Sequence, residues 1–490
     1  MVKSNKSKNH RNLKNKGIRE DSTGARKINA STPYETCSEQ LSPFGGLLAM
    51  IKFFDLVGFK EIFHANYCEP PRKPKLGHYS MVVGLIMLLF IGFNRIWHFT
   101  YIRLDAILCG FFRLPKLPVA STFWRYIDSM GINQAQSLLK LMSLLRERVW
   151  QLPGFSFDRI CIDIDTTVET LYGNQQGGRK GHNTKNRGKK GYRPVLCFIE
   201  QTREYVIGKL RKGDTLSGIQ TAALIFQIKD HLPGCVRKGL LRADGEFQSW
   251  ESVRAARCCG FDFIFANKAC DPLFERDAWY RHRDLEYNSC VYQPKGWEAP
   301  CRFVAMRTLK TQSVENEQEQ CHLFEEDNYT YRIFCTSLSG PAHMVIGEYD
   351  KRAEVENLVG EAKREGLEAI PSAKFKNNYA FFQLVMLTYN IWRYIKLFAA
   401  KSQENQKDKK EENASLKTIA FNTIRIARLK MLFIAAKVVR DQNRDKVKYS
   451  IHEARTPAMI RFLKFLDKAR TKPKPWNADR TQLQRFSFMT

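Results

Sequence analysis

The sequence predicts an α/β protein: a mixed-sheet core interrupted by a mainly β insertion, with helical N- and C-terminal regions. Three observations predict it. RICIDID (159–165) and GLLRAD (239–244) are short apolar runs ending in acids, and read as strands. YRPVLCFIE (192–200), EYVIGKLRKG (204–213) and FDFIFAN (261–267) read as further strands. The first three strands are joined by short links and the rest alternate with helices, so the sheet is mixed and begins as an antiparallel meander. Finally, apolar residues recur at helical spacing in 45–59 and 78–112, and again in 376–400 and 415–440.

At 490 residues the chain is too long for one core, and two to four structural units are expected. Its net charge of +29 marks a partner with many negative charges. Nucleic acid leads, and an anionic membrane surface is the competitor. The thirteen cysteines include no C-x-x-C pair, which argues against a disulfide framework and a zinc ribbon. Cys290, Cys301, Cys321, His322 and Cys335 cluster in sequence but match no metal-site spacing. Residues 1–30 lack the apolar segment of a signal peptide. MVVGLIMLLFIGF (81–93) is too short to span a bilayer and reads as a buried helix. A cytoplasmic protein without a membrane partner is expected.

In chain order, 1–35 is a basic flexible arm with Lys3, Lys6, Lys8, Arg11, Lys14 and Lys16. Residues 36–150 form a helical domain suited to DNA binding. The core's first part is 151–267, with helices expected at 218–231 and 247–259. Residues 268–335 hold Pro, Gly and Trp with β-type runs such as CRFVAMRTLK (301–310) and YTYRIFCTS (329–337), and form the insertion. The core resumes over 336–400. SQENQKDKKEEN (402–413) is a polar link, and 401–490 is a helical region for dimerisation or DNA contact. Within it, 415–440 reads as one basic amphipathic helix with Ile424, Leu429, Leu432, Phe433 and Ala436 as its apolar stripe.

The chemistry gathers at strand ends, where ligands of open α/β sheets bind. Asp165 closes the first strand and Asp244 the fourth. Asp163 shares a face with Asp165 by strand alternation and is the further candidate ligand. The segment YDKRAEVENLVGEAK (349–363) reads as one helix. Offsets of three, seven and fourteen place Tyr349, Arg352, Glu356 and Lys363 within about 60° on its surface. Asp350, Glu354 and Glu361 fall away from that face. Asp165, Asp244 and Glu356 converging on one cleft would repel one another unless cations hold them. Two Mg²⁺ ions are the natural choice, with Mn²⁺ able to substitute, because such ions take oxygen ligands and act on phosphodiesters. The link 173–193 adds seven cations and no acid: Arg179, Lys180, Lys185, Arg187, Lys189, Lys190 and Arg193. Arg211 extends this charge on the next strand.

These residues resemble a DDE transposase of a bacterial insertion sequence. Tyr349, Arg352, Glu356 and Lys363 match a Tyr-Arg-Glu-Lys signature with gaps of two, three and six. DIDTT resembles that family's first-acid motif and LRADGEF its second, although Gly245-Glu246 departs from the usual Ser-Gly. The resemblance runs from about Gly45 to Arg440. It implies an RNase H-like core, metal ions on Asp165, Asp244 and Glu356, and transposon-end phosphates on Tyr349, Arg352 and Lys363. It further implies nicking at each element end, attack of the 3′-hydroxyl on target double-stranded DNA, a homodimer on paired ends, and a nucleoid-associated bacterial setting. Some members stack a flipped base on a Trp of the β insertion, for which Trp297 and Trp279 are candidates. The alternatives are a catalytically inactive, transposase-derived DNA-binding protein and an RNase H-like structure-specific nuclease.

Overall fold

In the computed structural model, residues 28–181, 183, 186–216, 218–268, 270–309, 329–404 and 416–477 are described. Most of the basic arm, Lys185, Cys321, His322 and most of the 402–413 link lie outside these residues. Residues up to Glu39 form a separate unit. A second unit starts at Gln40.

That unit opens with strand β1 (Gln40–Ser42), followed by helices α1 (Leu47–Leu56), α2 (Phe59–Asn66), α3 (His78–Ile91), α4 (Phe99–Ile102), α5 (Ala106–Phe112), α6 (Ala120–Ser129) and α7 (Ile132–Trp150). The apolar run at 81–93 is a core helix: α3 is buried from Met81 to Ile91 and ends at Gly92, whose φ of 103° only glycine adopts without strain. Among the described residues, no single helix is long and apolar enough to cross a membrane. Far along the chain, α12 (Phe375–Lys401) runs through the middle of the fold. It packs on α3 and α7, and its Trp392 stacks on Phe90 at 3.9 Å. The helices before residue 150 therefore share one apolar core with the α/β region.

The sheet strands are β2 (Arg159–Thr166), β6 (Val195–Ile199), β7 (Tyr205–Lys209), β8 (Lys238–Ala243) and β9 (Phe261–Ala266), with α8 (Thr221–Asp230) and α9 (Trp250–Cys258) between them. β7, β6 and β2 run antiparallel, whereas β8 and β9 continue parallel to β2. This is the mixed α/β, RNase H-like arrangement expected, flanked by helical N- and C-terminal regions.

The β insertion supplies β10 (Tyr280–His282), β11 (Leu285–Tyr292), β12 (Cys301–Leu309) and β13 (Tyr329–Thr336). These strands do not form a sheet of their own. β13 pairs antiparallel with β9, so one nine-stranded sheet runs β10-β11-β12-β13-β9-β8-β2-β6-β7.

Three local expectations change. Part of the glycine-rich link folds into a small sheet of β3 (Glu169–Thr170), β4 (Arg179–Lys180) and β5 (Lys190–Tyr192). The 349–363 segment is helical but not uniform: α10 (Ala342–Asp350) and α11 (Glu354–Ala362) are joined by a tighter 3₁₀ turn at Lys351–Ala353. The 415–440 helix is only α13 (Ile424–Ala427) with one wider turn to Leu432. The chain then becomes strand β14 (Ala436–Asp441), which pairs with β15 (Arg444–Tyr449) and β1 before α14 (Thr456–Thr471). Gln442 and Asn443, both at positive φ, turn the chain back on itself, and the resulting hairpin pairing overrides the helical spacing upstream.

Candidate active site

Register brings two of the acids together. β2 and β8 are parallel neighbours with Ile164 opposite Ala243, so Asp165 and Asp244 leave adjacent strands at the same level. α11 packs against β2 and β6 and carries Glu356 on its exposed side. The cleft outside these strand ends, of about 840 Å³, is lined by Asp165 and Asp244 together with Arg193, Lys363 and Arg364. Asp244 is half-buried and accepts from the Glu246 amide at 2.7 Å, which fixes the turn after β8. Burial pushes the Asp165 carboxyl up to about 6; Arg352 opposes this, and Asp244 and Glu356 add to it by repulsion. Asp165 therefore feels the charge of both other acids. Among the described residues, neither Asp244 nor Glu356 forms an ion pair.

Arg352 lies in the 3₁₀ turn between α10 and α11. From that turn its Nη2 donates to the Ile164 carbonyl at 3.1 Å and to Asp165 Oδ1 at 3.0 Å. Lys363 Nζ donates to the Val168 carbonyl at 2.7 Å and lies 3.6 Å from Glu368. Tyr349 packs its ring 4.5 Å from Phe334, and burial raises its hydroxyl pKa against the nearby Arg352 charge. Of the expected signature, Lys363 lines the cleft, Arg352 reaches it through Asp165, Tyr349 packs on Phe334, and Glu356 is exposed on α11.

Residues 28–471 match the family described as Transposase DDE domain group 1. The chain belongs to that family. Comparison with curated protein sequences finds none that matches. Among solved structures, a piggyBac transposase synaptic complex with hairpin DNA is similar at a TM-score of 0.38 and 11% identity, over 79% of this chain and 82% of that one. A likeness that distant assigns nothing to individual residues.

Asp163 does not join the other acids of this DDE domain in the cleft. It is buried, and Arg242, directly across from it on β8, takes both its oxygens at 2.7 and 2.9 Å. Arg242 also reaches Glu200 at 3.1 Å and the Glu348 carbonyl at 2.8 Å. Around it, Cys161, Glu200 and Glu348 offer ligand atoms within 4.8 Å of one another. That trio surrounds a guanidinium, and burial pushes the Cys161 thiol up, so its donor set suits Mg²⁺ poorly.

The basic link borders the cleft. Arg193 lines it and pairs with Glu246 at 3.0 Å, while Arg211 donates to the Arg193 carbonyl at 3.1 Å. Burial and the Arg193 charge push Arg211 down to about 10. Arg179, Lys180, Arg187, Lys189 and Lys190 are exposed, and Lys189 sits over the Tyr172 ring. Trp297 lies elsewhere: with Trp250, 5.6 Å away, it lines a second cavity of about 450 Å³. Trp279 is covered by the Arg307 guanidinium at 4.3 Å.

Sequence reasoning missed two cations of the cleft and one buried acid near it in the chain. Arg95, just past the apolar run, reaches the cleft from the helical region, and Arg364 reaches it beside Lys363. Glu169, on β3, is buried with neither carboxylate oxygen hydrogen-bonded, and burial raises it to about 8 against the Lys363 charge. Only the position of Arg364, next to a signature residue, could have signalled its place.

Proposed function

We propose that the chain is a DNA transposase that cleaves insertion-sequence ends and joins the freed 3′-hydroxyl to target DNA, in cut-and-paste fashion. The observation that carries this reading is the pair of acids leaving adjacent parallel strands in register, beneath a helix bearing a third. Membership of the DDE transposase family supports it, as does the unbroken spacing of Tyr349, Arg352, Glu356 and Lys363.

An all-oxygen donor set whose like charge is relieved only at Asp165, by Arg352, fits a hard divalent cation. Asp165, Asp244 and Glu356 would hold two Mg²⁺ ions, or Mn²⁺ in their place. When bound, such ions activate a water or hydroxyl and stabilise the leaving oxygen of a phosphodiester. Arg352 then holds Asp165 in place between its carboxylate and the Ile164 carbonyl. Tyr349, Arg352 and Lys363 would meet phosphates of the element end. Arg179, Lys180, Lys185, Arg187, Lys189, Lys190, Arg193 and Arg211 would neutralise the flanking backbone, making binding strongly salt-dependent. Trp297 remains the candidate for stacking a base drawn out of the duplex, in a pocket it shares with Trp250. Paired ends would be held by a homodimer.

The test is strand nicking on a duplex carrying the element's terminal repeat, with Mg²⁺, comparing the unchanged protein with Asp244→Ala. Binding by both with cleavage only by the unchanged protein supports the reading. Binding without cleavage by either leaves an inactive DNA-binding descendant. Cleavage of branched DNA in preference to the terminal repeat points to a structure-specific nuclease.

A further inference from the structure

The β14–β15 hairpin has two unlike faces. Directly opposed residues of an antiparallel pair share a face. Ala436 with Tyr449 and Val438 with Val447 pack inward, and the Tyr449 hydroxyl donates to the Gly45 carbonyl at 2.8 Å. The other face carries Lys437 opposite Lys448, Val439 opposite Lys446, and Asp441 opposite Arg444. Four cations thus stand against one acid. Arg444, Lys446 and Lys448 are exposed, and Lys446 pairs with Asp441 at 2.9 Å. An anionic partner suits this excess of positive charge.

The hairpin also projects. Its third strand, β1, pairs only with residues 436–438, leaving Val439 to Lys446 as a two-stranded ribbon. At the tip, Gln442 and Asn443 are exposed, with φ of 49° and 58°. Two-stranded ribbons enter the major groove of duplex DNA, where Asn and Gln pair with adenine edges.

We propose that this hairpin is a duplex-DNA contact lying in the major groove, with Arg444, Lys446 and Lys448 on phosphates and Gln442 and Asn443 at base edges. The proposal rests on the transposase reading and names a surface outside the acidic cleft as its DNA reader.

The experiment measures binding of the full chain to a 30-base-pair mixed-sequence duplex at several salt concentrations, for the unchanged protein and for Arg444→Gln/Lys446→Gln/Lys448→Gln. The slope of log affinity against log salt should flatten by about 2.7, at roughly 0.9 per lost phosphate contact. In parallel, Lys446→Cys carrying a photo-cross-linker should label the duplex. A correctly folded triple variant with an unchanged slope overturns the proposal. Should the triple variant not fold, absence of cross-linking overturns it. Phosphatidylserine vesicles form the last arm: loss of vesicle binding by the triple variant with an unchanged duplex slope makes the face a membrane contact and also overturns it. If the unchanged protein binds no duplex at all, the transposase reading itself fails, which is a different outcome.

Discussion

Two regions of this molecule are built from carboxylates and guanidinium groups, and they use them in opposite ways. Behind the sheet, Glu361 on α11 is buried and meets Arg393, Tyr389 and the Ile424 amide. Glu365 meets Arg428, which also donates to carbonyls at the end of α3. Arg146 and Glu204 form a buried pair at 2.8 Å, with Trp150 completing it. There each charge is neutralised by the chain itself. In the cleft, Asp165 has one guanidinium, and Asp244 and Glu356 form no ion pair among the described residues. The same α11 carries both kinds of acid: Glu361 faces inward and Glu356 outward. The comparison separates acids that hold the fold from acids left for an external cation.

Breaking each side should therefore read out differently. Asp244→Ala or Glu356→Gln should abolish Mg²⁺-dependent nicking, a loss of about a thousand-fold or more, on the order of 4 kcal/mol of barrier. Urea unfolding of Glu356→Gln should stay within about 0.5 kcal/mol of the unchanged protein, whereas Asp244→Ala also loses the bond from the Glu246 amide and should cost about 1 kcal/mol. A large stability loss without a loss of nicking would invert the assignment. Glu361→Ala removes one partner of a buried pair and leaves the Arg393 charge uncompensated, which costs about 3–5 kcal/mol. Its denaturation midpoint should drop sharply, and any nicking it loses should follow its unfolded fraction. An unchanged midpoint would show that this pair does not hold α11.

How far the sequence revealed these sites depended on whether the deciding contact was local. Strands ending in Asp165 and Asp244 were legible because apolar runs closed by acids need no partner to recognise. Their shared level was not legible, since it depends on β2 and β8 pairing across more than seventy residues. Asp163 obeys strand alternation as expected, yet the residue that takes its oxygens, Arg242, comes from the neighbouring strand. The spacing of Tyr349 to Lys363 suggested a straight helix. A tertiary contact, Arg352 reaching Asp165, accompanies the tighter turn within it. The 415–440 region misled because an apolar stripe ran into a strand whose pairing partner, β15, lies further along the chain.

Glu169 tests the boundary between the two regions, because it is buried like the first and unpartnered like the second. Its carboxyl sits at about 8 instead of the usual 4.5, through burial, with Lys363 pulling the other way. Between those values the folded chain holds a proton that the unfolded chain releases. Stability should therefore be highest below pH 4.5 as far as this group is concerned, and fall as pH rises toward 8. One proton of difference is worth about 1.36 kcal/mol per pH unit, so the loss from pH 5 to pH 7 is on the order of 2 kcal/mol. Glu169→Gln keeps the shape and cannot ionise. Urea unfolding of both proteins at pH 5, 6 and 7 should show the variant gaining on the unchanged protein at each step. Parallel pH dependences would mean that Glu169 finds a charge partner in solution and belongs with the neutralised acids behind the sheet. A steeper fall for the unchanged protein would mean that the fold holds Glu169 protonated, as its burial without a hydrogen-bond partner requires.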